Sequence, residues 1–267
     1  MYESFLVPTV FAPWAEELLR RSAPELGAGV LDVGCGTGVV TRMAARIVGE
    51  RGAVAGLDFN SAMIEVASRI PTPPGSGRIT YVVASADEIP YPDGTFDLVT
   101  CQQMLQFAPD RMAVLRQVRR VLSPGGRAVF AVWADITRNQ AQLAINDAIV
   151  RHAGPPGVMP GLAFSAAGEL EELFAGAGFG SVAVELVTKD ARFPEPEQVV
   201  RRWLLAASAG IHGFRQLDGP ARDALIDRIA ADLADFIRDH TIDDHVVSPW
   251  TAFIAIAEAW SADINTL

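Results

Sequence analysis

Short apolar runs alternate with amphipathic stretches through the first half of the chain, as strands and helices taken in turn would. Val30–Val33, Ala53–Leu57, Ile79–Ala84, Phe96–Cys101 and Arg127–Trp133 read as five strands. They are largely apolar rather than alternating, which suits strands covered on both faces of a parallel sheet. Between them, Val39–Val48 and Arg111–Leu122 carry apolar residues at helical spacing, the second through Val114, Leu115, Val118, Val121 and Leu122. Ser123-Pro124-Gly125-Gly126 then reads as a helix stop and turn. After Trp133 the rhythm changes. Ser165 is placed to cap a helix through Glu169–Phe174 that Gly178 closes, and Ser181–Val187 reads as a strand. Two helical stretches, Glu197–Ala207 and Ala221–Phe236, precede a last apolar strand at Trp250–Ala257. No repeat, low-complexity tract or linker interrupts this order, so one domain over residues 1–267 is expected.

The first strand ends abruptly in Asp32-Val33-Gly34-Cys35-Gly36-Thr37-Gly38, and a helix pattern follows. Glycines spaced two apart let the backbone turn tightly and bring its N–H groups near a ligand, and the turn opens onto a helix N-terminus. The dinucleotide fingerprint G-x-G-x-x-G requires glycine or alanine where this chain has Val39, so a nicotinamide cofactor is disfavoured. The second strand ends in Asp58, whose carboxylate could accept both ribose hydroxyls of an adenosine. Asp58 could equally hold a turn, with Asn60 or Ser61 capping the next helix; both roles are compatible. The third strand runs into Ser85-Ala86-Asp87-Glu88-Ile89-Pro90-Tyr91-Pro92-Asp93-Gly94-Thr95-Phe96-Asp97.

Asp32-x-Gly34-x-Gly36-x-Gly38, the acid at Asp58, the Ser85–Asp97 stretch and the helix–Leu122-x-Pro124-Gly125-Gly126–strand unit arrive in order over the first half of the chain. Together they resemble class I S-adenosylmethionine-dependent methyltransferases, specifically the ubiquinone/menaquinone-biosynthesis-like branch. The Phe164–Phe179 segment is similar to that family's later helix as well. The resemblance implies an α/β fold: a doubly wound, Rossmann-like, mostly parallel sheet of seven strands. It adds an N-terminal helical lid over residues 1–27, a cofactor-binding core over 28–135, and substrate-side loops with a helical insertion before the last strand over 136–267. It implies S-adenosylmethionine as cofactor, held by Asp32, Gly34, Cys35, Gly36, Gly38, Asp58, Phe59, Ser85, Ala86, Asp87, Cys101 and Gln102. One departure stands out. The family reads the adenine amino group with an acid where this chain has Ser85, so the Ala86 N–H or Asp87 would share that task.

Tyr2, Phe5, Phe11 and Trp14, with Leu6, Leu18 and Leu19, form an aromatic-rich N-terminal pattern that suits either a lid or packing against the sheet. Phe11, Trp14, Gln103, Gln106 and Trp133 are the expected substrate contacts, which suit a small apolar or aromatic metabolite such as a quinone, polyketide or terpenoid. Gln106 stands where relatives often carry histidine and is a candidate catalytic contact, with a solvated amide as the alternative. His152, read as lying in the loop after the fifth strand, is the other catalytic candidate, as a general base. A fold that binds the cofactor without methyl transfer, as a cyclase or accessory protein, remains the second hypothesis.

The formal net charge of −10 argues against nucleic acid and anionic membrane partners. No long apolar run or basic-then-apolar leader is evident, so a cytoplasmic protein is expected, and a homodimer is compatible with this reading. The two cysteines, Cys35 and Cys101, read as site-lining or core residues rather than a disulfide, and no metal-ligand spacing is present. Lys189 is the single lysine among 22 basic residues, a bias that suggests a high-GC genome.

Overall fold

The strand that everything else is laid against is β1 (Gly29–Val33), whose Val30, Leu31 and Val33 are wholly buried. In a computed structural model that describes residues 2–155, 164–207, 214 and 217–259, the chain divides into two compact units. The first, here the core unit, comprises Trp14–Trp133, Phe164–Val187 and Ala252–Leu267. The second comprises Met1–Pro13, Ala134–Ala163 and Thr188–Thr251.

In the core unit β1 pairs in parallel with β2 (Ala53–Asp58) on one side and β4 (Phe96–Gln102) on the other. Beyond them lie β3 (Arg78–Val83) and β5 (Leu122–Trp133), also parallel. Two long strands, β6 (Ser181–Pro194) and β8 (His245–Glu258), complete the order β3-β2-β1-β4-β5-β8-β6, with β8 antiparallel to β5. The main path has the seven strands expected, and a two-residue β7 (Thr241–Ile242) pairs beside β8 in the second unit. Strand order reverses between β1 and β4, so a crevice is expected outside their carboxyl ends.

Helices cover this sheet through apolar stripes. In α2 (Val39–Val48), Val40, Thr41, Ala44, Ala45 and Val48 are buried, and in α4 (Arg111–Val121), Val114, Leu115, Val118 and Val121. The helix α3 (Ser61–Arg69) starts at Asn60, whose side chain accepts from Ala62 N. Further helices are α1 (Ala12–Ser22) and α6 (Ala167–Gly176), where Phe174 packs edge-on against Phe130 at 5.2 Å.

Two local expectations need correction. Residues 122–126 belong to β5 rather than to a free turn: pairing jumps from Phe96↔Leu122 to Leu98↔Arg127, so the Pro-Gly-Gly residues bulge out within the strand. A Cβ on Gly126 would stand 2.9 Å from Ser123 O and 3.1 Å from Asp97 O, which is why glycine is needed there. Ser165 does not cap α6. It lies one residue outside the N-cap Ala166 and donates instead to the Glu169 carboxylate.

The second unit opens with a π-helix, Tyr2–Phe11, in which Pro8 withholds a donor from the usual ladder. It continues with α5 (Gln140–Ala153), α7 (Pro196–Ala207), α8 (Gly219–Asp232) and α9 (Ala234–Asp239). Its apolar centre includes Phe193, 5.6 Å from Phe5 and 6.3 Å from Trp250. Asn139 is fully buried and meets its backbone neighbours on every side. Its Nδ2 donates to Ala134 O, Asp135 O and Thr251 O, and its Oδ1 accepts from Thr251 N at 2.7 Å. Among the described residues no helix is long and apolar enough to cross a membrane.

Arg120, from α4, ties down the loop that follows β3. Its guanidinium donates to Ile89 O, Tyr91 O and the Asp93 carboxylate, each at 2.8 Å. Asp93 is exposed, whereas the bonds to Ile89 and Tyr91 are part-buried. Arg120→Ala is therefore expected to cost about 1–3 kcal/mol in urea unfolding, and Asp93→Ala less than about 1 kcal/mol. Equal losses would mean that the surface ion pair, not the carbonyl clamp, holds the loop.

Candidate active site

The glycine turn is bonded onto the tip of the neighbouring strand. Leu57 O, at the end of β2, accepts from Gly34 N at 2.7 Å and Cys35 N at 3.0 Å. The next donor along, Gly36 N, reaches Asp58 Oδ2 at 2.8 Å, and Asn60 N reaches Asp58 Oδ1 at 2.9 Å. Asp58 O in turn accepts from Ala84 N at 3.1 Å, so the exits of β1, β2 and β3 are joined by hydrogen bonds. Gly34 (φ 70°) and Gly38 (φ 82°) both occupy the left-handed region, and neither has room for a Cβ. At Gly34 it would meet the Met104 side chain at 2.4 Å, and at Gly38 the Tyr81 hydroxyl at 2.4 Å. The β4 exit thus lies directly against the turn.

Beneath the turn sits Asp32, 1 % exposed, with Oδ2 accepting from Thr41 Oγ1 at 2.6 Å and Oδ1 from Thr100 Oγ1 at 3.2 Å. Its role is to hold α2 and β4 to β1. Burial drives its carboxyl up to about 6, against the opposing pull of the two hydroxyls, with the nearby Asp58 charge adding to the rise. Both cysteines are buried thiols. Burial pushes Cys101 up to about 12 and Cys35 higher still, so neither is a thiolate at neutral pH.

The other expected cofactor contacts lie along the same strand exits. Phe59 is 77 % exposed beside Asp58. Ser85 and Asp87 are exposed and Ala86 is half-buried, in a turn where Glu88 N donates to Ser85 O at 3.1 Å. Gln102 ends β4, half-buried. Gln103 (φ 57°) and Gln106 follow, both buried, with Gln103 N donating to Ala131 O at 2.8 Å.

Trp14 and Trp133 are almost wholly buried and pack edge-to-face at 5.4 Å, as part of the interior of the core unit. Phe11 belongs to the second unit, stacked on Tyr2 at 5.2 Å. His152 is not in a loop: Ile145, Ala148 and Ile149 continue the buried stripe of α5, which carries His152 in its last turn. There, within the second unit, its Nε2 lies 3.2 Å from Asp232 Oδ2, and it borders a cavity of about 300 Å³ beside α8. His240 and His245 are in the second unit too, and His212 lies outside the described residues.

Several residues that shape the site were not singled out from the sequence. Thr41 and Thr100 carried a usable signal, being polar residues on otherwise buried faces of α2 and β4. Thr37 Oγ1, in the glycine turn, is buried without a partner. Tyr81, Met104 and Arg120 act across elements distant in the chain, and local pattern does not reveal them.

The comparisons with known proteins agree with this geometry. Residues 31–130 match the model of the family described as "Methyltransferase domain". Demethylmenaquinone methyltransferase of Geobacillus kaustophilus is 38 % identical over 116 residues, covering 43 % of this chain and 50 % of that protein. The Listeria monocytogenes enzyme of the same name is 39 % identical over 114 residues, covering 43 % and 48 %. The chain thus spans about half the length of the curated relatives it matches. Two solved structures share the fold over most of the chain. The YcgJ protein of Bacillus subtilis has a TM-score of 0.59 at 16 % identity, covering 93 % of this chain and 98 % of that one. The [4+2]-cyclase SpnF has a TM-score of 0.57 at 21 % identity, covering 94 % and 81 %. Residues 31–130 thus resemble a methyltransferase domain, and the core unit shares the Rossmann-like fold of the solved structures it is similar to.

Because the Asp32 carboxyl is raised in the folded chain, its proton is favoured there. Its contribution to stability is full below about pH 4 and is lost as pH rises through about 6, in all roughly 3 kcal/mol. Denaturant unfolding at about pH 4 and pH 7 is expected to show this loss in the wild-type chain and not in Asp32→Asn. Parallel pH dependence in the two proteins would contradict the assignment.

Proposed function

We propose that this chain transfers the methyl group of S-adenosylmethionine to an oxygen or carbon of a small hydrophobic metabolite. The observation that carries the reading is the meeting of the glycine turn, Asp58 and the β4 exit at the point where strand order reverses, in the segment that matches the methyltransferase domain. The residues present suit such a donor. Asp58 spends one lone pair of each oxygen on backbone N–H groups, which leaves the others for ribose hydroxyls. Thr37 Oγ1 is an unmet buried polar atom in the turn, and Ser85, Ala86 and Asp87 ring the exit of β3. Asp32 and Asp58 take hydroxyl and N–H partners rather than cations, so the carboxylates at this end of the sheet favour a positively charged ligand.

The donor, when bound, supplies an activated methyl on a sulfonium. The protein's part is then to fix the acceptor in line with that methyl and to keep water away. The matched relatives are named for demethylmenaquinone, so quinols come first among acceptors to be tried. The second unit lies wholly outside the segment matched by the family model and need not serve the same acceptor.

A second reading, in which the fold holds the cofactor without transferring its methyl, has one observation in its favour. The β4 exit presents neutral carboxamides and a protonated thiol where a base would serve an oxygen acceptor. Incubation with methyl-labelled S-adenosylmethionine and a panel of naphthoquinols and phenols separates the two. Label in the organic product is expected; acceptor consumed with the label left on the cofactor would favour the second reading. Calorimetric titration gives a further check: Asp58→Ala should weaken S-adenosylmethionine by about 1–3 kcal/mol. Unchanged affinity would remove Asp58 from the cofactor site.

A further inference from the structure

We propose that Gln103 and Gln106 form the recognition site for a neutral hydroxyl group on the acceptor, an inference that rests on the function proposed above. Two unmet hydrogen-bonding atoms point to it. Gln103 is 7 % exposed and Gln106 3 % exposed. Gln106 Nε2 faces Gln103 Oε1 at 3.5 Å, and this leaves Gln103 Nε2 and Gln106 Oε1 buried without a partner. Buried amide atoms are almost always paired, so two orphans side by side call for a ligand. Exchanging O and N in both amides changes nothing in this inventory, because one NH2 and one carbonyl still remain unmet.

The mount is stiff. Gln103 holds a left-handed backbone (φ 57°), unusual for a residue with a Cβ, and is fixed by its N–H bond to Ala131 O. The backbone carbonyl of Gln106 is held by Arg111 Nη2 at 3.2 Å. Between the two glutamines stands Met104, whose side chain lies against Gly34 of the glycine turn. The pair is thereby next to the place assigned to the methyl donor. Met104 is half-buried and Phe107 exposed, so the loop that carries the pair reaches the surface.

The complement of the two orphans selects the ligand group. A hydroxyl accepts from the NH2 and donates to the carbonyl through a single oxygen, so both atoms are met at once. A carboxylate or an ether accepts only, and an ammonium donates only. Each would leave one glutamine atom unpaired in a dry site, which is a strong basis for discrimination.

The test uses the full chain saturated with S-adenosylhomocysteine, titrated calorimetrically with 2-naphthol, 2-methoxynaphthalene and 2-naphthoate. Wild-type protein should bind 2-naphthol at least about tenfold more tightly than either other compound. In Gln103→Leu/Gln106→Leu the preference should vanish, while S-adenosylhomocysteine binds as before and Tm is unchanged or a few degrees higher, because buried unmet groups have been removed. Gln103→Met/Gln106→Met, closer in length, carries the same test if the leucine pair does not fold. Absence of a hydroxyl preference in the wild-type chain, or its survival in the double variant, overturns the inference. Failure of the wild-type chain to bind S-adenosylhomocysteine instead overturns the function proposed above, and this inference with it.

Discussion

The carbonyl of Leu57 accepts hydrogen bonds from Gly34 N and Cys35 N, and the site depends on that pair of contacts. It fastens the turn after β1 to the tip of β2, and the Gly36–Asp58 bond continues the attachment one residue further along each strand. The turn takes a left-handed backbone at Gly34 and Gly38, where a Cβ would strike the Met104 side chain and the Tyr81 hydroxyl, which explains the glycines there. From that attachment the remaining geometry follows. Asp58 is held at a fixed place, Ala84 is drawn to it, and Met104 closes over Gly34 from the far side.

Electrostatics gives the same region its character. Asp32 is buried on neutral partners, the Thr41 and Thr100 hydroxyls and the Thr41 backbone, and its acid form is favoured until pH approaches about 6. Such a group costs stability at neutral pH, a cost that is common where a site is shaped for a charged ligand. A cation placed beside the turn would offset that cost. The thiols of Cys35 and Cys101 contribute shape rather than reactivity, since burial keeps both protonated.

Much of the core was legible in the chain itself, because its signals are local. The helix Val39–Val48 follows from its apolar spacing and its glycine boundaries, and the parallel strands from their apolar runs. What sequence pattern did not reveal arises from contacts across elements. The Pro-Gly-Gly residues look like a turn but are taken into β5 as a bulge, because Leu122 and Arg127 on either side of them pair with β4, a tertiary effect on a local signal. His152 was read as lying in the loop after the fifth strand, yet α5 extends to Ala153 and carries it. Trp14 and Trp133 looked like pocket walls, and their edge-to-face packing makes them part of the interior. The orphaned amide atoms of Gln103 and Gln106 are likewise visible only once burial is known.

The central claim is that the joined exits of β1, β2, β3 and β4 hold the methyl donor. Hydrogen–deuterium exchange with and without S-adenosylhomocysteine tests it most directly, because it reports where the chain is protected as well as whether binding occurs. Slower exchange is predicted in peptides that cover residues 34–38, 58–60, 84–88 and 101–106, with the rest of the core unit unchanged. Protection confined to other segments, or none at saturating ligand, would contradict the account.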